Sequence, residues 1–283
     1  MGEDLAGDGA QPEGLRRPPR SGRSAAQSIA RLINWSPAPP EATPTQRRNF
    51  MMVQIDAIGI GLASAAAPFL AVFLARLGAT NSQIGLLTSM PGFAGLILAI
   101  QIGSFLQRQP SIVPWFSRGR LLVVSSYALT GLVTLIVPRE WAVVAILLVW
   151  ACATVPQTIV NICFSVVMSY VAGPRLRYDL MSRRWTILGF TTAVTVALVG
   201  QLLDRVSFPL NYQLVFIGLS VGGLISYYFS SHIDLPTLEL PPRRIVPLRQ
   251  RIADYAQLIG GNRPFVSFVS RRFVFVTGQS FAA

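Results

Sequence analysis

Long apolar runs alternate along this chain with short polar stretches that carry arginine. Six runs stand out: Phe50–Ala75, Ile84–Leu106, Leu121–Val137, Trp141–Ala172, Trp185–Leu203 and Tyr212–Ser231. Ile84–Leu106 has no charged residue, and at ~1.5 Å per helical residue it reaches ~34 Å, enough for a hydrocarbon core of ~30 Å. The third run is the shortest, and the fourth is long enough to tilt or to project beyond the bilayer. The pattern predicts an all-α membrane protein, a six-transmembrane-helix bundle over residues 47–231.

The flanks read differently. Residues 1–46 are rich in Pro, Gly, Ser, Ala and Arg. Such a segment buries too little surface to offset its ordering entropy, which predicts a disordered cytoplasmic tail. No apolar core follows Arg16, Arg17, Arg20 and Arg23 at the distance a signal peptide needs. Residues 232–264 open with Pro236, Pro241, Pro242 and Pro247 and predict a cytoplasmic linker. Within it Leu248, Ile252, Tyr255 and Ile259 recur at helical spacing, an amphipathic helix suited to the membrane surface, which Gly260 and Gly261 end. Residues 265–283 finish with the apolar run Phe273–Ala283, behind Arg271 and Arg272. Eleven helical residues span ~16 Å, about half a bilayer, so this stretch predicts the start of an incomplete seventh span.

Composition agrees with the pattern. The chain is 52% hydrophobic and 13% charged, against about 25% charged in a typical soluble domain. Its net charge of +12 comes from 24 arginines and no lysine. A basic excess along one face would point to nucleic acid. Here the arginines sit between apolar runs, so the expected partners are membrane lipids and not nucleic acid. With the amino terminus inside, the cytoplasmic segments hold 21 of the 24, leaving Arg76, Arg139 and Arg205 outside. That bias orients the bundle with both ends in the cytoplasm, in the cell (plasma) membrane.

Little here suits metal or bond-making chemistry. Cys152 and Cys163 lie eleven residues apart, ~16 Å along a helix, too far for a disulfide or a shared metal. His232 is the single histidine. No metal, no cofactor and no enzymatic activity is expected.

Two groups of residues stand out as candidates for a solute pathway. Asp56 is the one acid inside an apolar run, and an ionisable group within a membrane by default marks a substrate, proton or ion site. The alternative is an ion pair with a loop arginine such as Arg108 or Arg183. In the fourth run Gln157, Asn161 and Ser165 repeat every fourth residue, with Thr154 and Thr158 beside them and Pro156 at the same depth. One reading is a solute-facing stripe near the midplane; the other is hydrogen bonding between helices. Arg175, Arg177, Arg183 and Arg184 read as topology determinants and contacts to anionic lipids.

Six spans with both ends inside, a long linker and a new span after it resemble the amino-terminal half of a major facilitator superfamily transporter. The local match is Leu77-Gly78-Ala79-Thr80-Asn81-Ser82-Gln83-Ile84-Gly85-Leu86-Leu87, similar to that family's first outer loop and second-span start. Gly103 and Arg108 stand in the places of the Gly and first Arg of its loop signature, Gly-x-Leu-x-Asp-Arg-x-Gly-Arg. Phe105, Gln107, Pro110 and Ser111 depart from it. In the family the signature's acid joins a charge cluster that latches two halves, and Gln107 cannot supply that charge. The family's fourth-span Arg and the antiporters' fifth-span Gly-Pro are also missing.

The resemblance implies secondary transport of a small solute by alternating access, with a second transporter half or a homodimer as partner. The competing expectation is a truncated product, or a six-span scaffold that needs a partner half.

Overall fold

The computed structural model describes residues 38–236, 257 and 261–282. Among the described residues the secondary structure is helical throughout: α1 (Pro44–Ser64), α2 (Ala67–Arg76), α3 (Asn81–Leu106), α4 (Val113–Ile136), α5 (Arg139–Arg205), α6 (Leu210–Ser231) and α7 (Arg263–Ala282). Among the described residues four stretches are long and apolar enough to cross a membrane: Pro44–Arg76, α4, α5 and α6. They become five if α3, bent by 47° between Asn81–Gly95 and Ile97–Leu106, is taken as one span. These are the elements of a multi-pass membrane protein. The expected amphipathic helix at Leu248–Ile259 and most of the amino-terminal tail lie outside the described residues.

Local chemistry explains the helix boundaries. α1 begins with a reciprocal cap: the Gln46 N–H donates to Thr43 Oγ1 at 3.3 Å, and the Thr43 N–H donates to Gln46 Oε1 at 3.1 Å. α1 therefore starts three residues inside the stretch expected to be tail. Pro68, in the first turn of α2, lacks the N–H that would continue α1, so the chain turns at Ala65 and Ala66. α3 repeats the reciprocal cap with Thr80 and Gln83, at 2.9 and 3.3 Å, directly after Gly78 at φ 96°. The stretch Leu77–Leu87 is thus a turn and a helix start with clear physical causes.

Two further boundaries differ from expectation. α4 begins at Val113 rather than at Leu121, so Arg118 and Arg120 lie in a helix and not in a loop. α5 runs for 67 residues through the stretch expected to separate the fourth and fifth runs. It is broken at one residue, Gly173, whose φ of 65° and ψ of −178° combine a left-handed φ with the extended ψ that a following proline, Pro174, demands. Helix resumes at once, and the arginines between 175 and 184 become helical.

The chain divides into two units: residues 38–102 with 112–236, and residues 103–111 with the described carboxy-terminal residues. In the larger unit α1 packs on α5 and α6, and α4 packs on the same two helices. One end of that unit is aromatic: Phe73 stacks on Tyr212 with centroids 5.1 Å apart and meets Phe216 at 5.3 Å, over Leu74, Ile146 and Leu147. Further along, α1 and α6 cross with backbones nearly touching. A Cβ on Gly59 would lie 2.6 Å from the Gly222 carbonyl and 2.7 Å from the Ser226 nitrogen. Small residues permit this approach, which in lipid is a main source of helix association. At the opposite end to the aromatic cluster Asn49 exchanges two hydrogen bonds with the Asp234 backbone, at 2.7 and 2.9 Å, clasping α1 to the chain leaving α6. In the smaller unit α7 is a 20-residue helix that carries Arg263, Arg271 and Arg272 and begins ahead of the expected seventh-span start.

Candidate functional site: a buried ion cluster among four helices

Four helices each deliver one polar side chain to a single point. Asp56 of α1 is fully buried, and so is Ser226 of α6, whose hydroxyl donates to Asp56 Oδ1 at 2.5 Å. Arg120 of α4 and Arg184 of α5 approach the other oxygen, Oδ2, with Nη2 at 3.5 and 3.6 Å. Their side chains are 5% and 3% exposed, so both cations are effectively out of solvent. By helical rise the cluster sits ~18 Å from Pro44, ~10 Å from Val113, ~16 Å from Gly173 and ~8 Å from Ser231. That places it one to three turns in from the end of the bundle marked by those residues.

Helical spacing explains each placement. On α4, Val113, Phe116, Arg120 and Val124 form a buried row at steps of three and four. On α5, Leu180 and Arg184 share the inward face one turn apart. Ser226 follows Gly222 by one turn, on the α6 face that meets α1. The guanidinium faces are covered by aromatic rings: Arg120 lies 4.5 Å from the Phe116 centroid, and Arg184 lies 4.7 Å from Phe164 and 5.6 Å from Trp185.

The electrostatics are lopsided. Two arginines, which do not lose their protons in proteins, share one carboxylate. Among the described residues no other carboxylate lies within ion-pair distance of either. Even with Asp56 ionised, one positive charge is in excess. Arg120 Nε, Arg184 Nε and Asp56 Oδ2 are buried with no hydrogen-bond partner among the described residues. The 3.5 and 3.6 Å approaches therefore act as charge contacts, leaving fork donors over.

Asp56 thus has ion partners, but not the loop arginines expected from the sequence. Arg108 is exposed, and Arg183 pairs with Asp179 at 2.8 Å on the surface of α5. Arg184, expected to meet lipid headgroups, points inward instead. Arg120 and Arg184 were missed because a basic residue beside an apolar run reads as loop. The spacing Phe116–Arg120–Val124 was the available signal.

The polar residues of the fourth run divide between two faces. Thr154 and Thr158 are buried and donate to backbone carbonyls of their own helix, at 2.6 and 2.8 Å. Gln157 is half-buried, and its Nε2 donates to Asn161 Oδ1 at 2.9 Å; Asn161 and Ser165 are exposed. The structure does not enclose this stripe with Asp56. Gly103, Gln107 and Arg108 belong to the smaller unit, where Gln107 and Arg108 are exposed and the Gln107 N–H donates to the Gly103 carbonyl at 3.1 Å.

Fold and site together define a membrane-helix bundle tied by a buried, net-positive ion cluster. No family model matches this chain, and no curated protein matches it.

Proposed function

We propose that residues 44–231 form the six-span bundle of a secondary transporter of the major facilitator type, moving a small solute by alternating access. The six crossings on this reading are α1 with α2, α3, α4, the two parts of α5 on either side of Gly173, and α6. The bundle sits in the plasma membrane with its amino terminus in the cytoplasm. On this reading it works against a second bundle, as alternating access requires.

The observation that carries the proposal is Asp56 fully buried among four helices with two buried arginines. Charges are expensive in a membrane, and where present they mark pathways by default. Polar Gln157, Asn161 and Ser165 on an outward face of a membrane-length helix suit a solute cavity between two bundles. A non-transporting scaffold is the second reading. The apolar face that α3 leaves exposed at Phe93 and Ile97 favours it, because that face needs covering whether or not anything is moved.

The test is reconstitution of the full chain in proteoliposomes with an imposed pH gradient, followed by a screen of labelled solutes. Transport requires at least one solute to accumulate against its gradient, and Asp56→Asn to abolish that accumulation. If Asp56→Asn accumulates the same solute at the wild-type rate, Asp56 has no part in transport; if no solute accumulates at all, the scaffold reading stands.

A further inference from the structure

We propose that the Asp56–Arg120–Arg184 cluster is an anion-binding site for an oxyacid group, a carboxylate or a phosphate. The anion enters by taking over arginine contacts now made to Asp56 Oδ2. As the substrate class of the bundle, this rests on the transport reading; as a binding site it stands on its own geometry.

Charge is the first argument. Two buried guanidiniums face one carboxylate, and an unbalanced buried charge is among the costliest arrangements in a protein. One further negative charge balances the cluster. The second argument is donor geometry. Both Arg120 and Arg184 have Nε buried and unpartnered, and each turns Nη2 toward Asp56. A guanidinium binds carboxylate or phosphate through paired N–H groups, so the unused donors match an oxyacid rather than a hydroxyl or an amine.

The third argument is the asymmetry at Asp56. Its Oδ1 is held by Ser226 at 2.5 Å, while Oδ2 meets the arginines at 3.5 and 3.6 Å without a hydrogen bond. The carboxylate is anchored to α6 and only charge-paired to α4 and α5. Exchange of partners therefore loosens α1 and α6 from α4 and α5, which couples binding to helix movement.

The charge count makes a prediction that a purely structural cluster does not share. Wild type carries an excess of one positive charge, Arg184→Gln carries none, and Asp56→Asn carries two. The full chain is placed in nanodiscs of phosphatidylcholine, and its unfolding is followed by tryptophan fluorescence. Phosphate and acetate are titrated against chloride at equal ionic strength. A ligand of the folded state raises the midpoint saturably.

Phosphate is expected to stabilise wild type saturably. Arg184→Gln is expected to raise the half-saturating concentration about tenfold or more, Arg184→Lys, which keeps the charge but loses the fork, to fall between wild type and Arg184→Gln, and Asp56→Asn to lower it about tenfold. Equal phosphate responses in wild type, Arg184→Gln and Arg184→Lys overturn the site, as does no response in any of them. The two Arg184 variants decide the matter if Asp56→Asn does not fold.

Discs containing phosphatidylglycerol separate the two sources of the same chemistry. A phosphate response that disappears in them supports the site with a lipid headgroup as ligand. A response that persists supports it with a soluble anion. Saturable binding without solute accumulation sinks the transport reading and leaves the site, whereas accumulation of uncharged solutes with no anion response does the reverse.

Discussion

α3 and the crossing of α1 with α6 are both apolar and glycine-bearing, yet they are packed in opposite ways. A Cβ on Gly59 would collide with α6 backbone, and one on Gly222 would meet the Gly59 carbonyl. The same atom on Gly85, Gly92 or Gly95 of α3 would meet nothing. α3 touches the core through Leu87, Ile84 and Met90, while Leu86, Phe93 and Ile97 are exposed. Hydropathy alone cannot separate the two cases, because lipid and protein interior are equally apolar. A glycine on a membrane helix has packing significance only where a second backbone answers it.

That contrast can be broken by substitution. The largest effect is expected where the four helices meet: Asp56→Leu leaves two buried cations without a counter-charge and should cost about 3–5 kcal/mol. Reversible denaturation in mixed micelles measures it, and a loss below about 1 kcal/mol would show that solvent reaches the arginines. Gly222→Ala should come next, at roughly 1–3 kcal/mol, because the added carbon forces α1 and α6 apart. The identical change on α3, Gly92→Ala, should have the opposite sign and stabilise by up to about 1 kcal/mol, the helix-propensity difference alone. Equal signs for the two alanines in the same assay would mean that α3 packs as closely as α6.

The smallest effect is expected at a hydrogen bond between helices. Gln213 Nε2 donates to Thr134 Oγ1 at 3.0 Å, joining α6 to α4. Gln213→Leu should cost about 0.6 kcal/mol, the typical worth of such a bond in a membrane protein. A cost above about 2 kcal/mol would place this bond on a par with the ion cluster.

The helical class and most of the run boundaries were legible because apolar length is a strong signal. The starts of α1 and α3, at Thr43-x-x-Gln46 and Thr80-x-x-Gln83, fall outside the apolar runs because a capping box is a polar signal that hydropathy passes over. The site was half legible. Asp56 stood out as a lone acid in an apolar run, but its partners did not, since a charge next to such a run is ordinarily taken as its end. The structure shows the helix continuing past the charge: Arg120 belongs to the row through Phe116 and Val124, and Arg184 to the face of Leu180. Gln157, Asn161 and Ser165 show the complementary limit of spacing. A step of four places these residues on a common face, but only the neighbouring helices decide whether that face is inside.

Gly173 gives the long α5 the properties of a lever with one pivot. The arm from Gly173 to Arg184 is ~16 Å, so a swing of about 10° at the pivot carries the guanidinium about 3 Å sideways. That displacement is nearly the whole length of its 3.6 Å contact with Asp56. A small rotation at this one non-helical residue would thus be enough to make or release a charge contact three turns away.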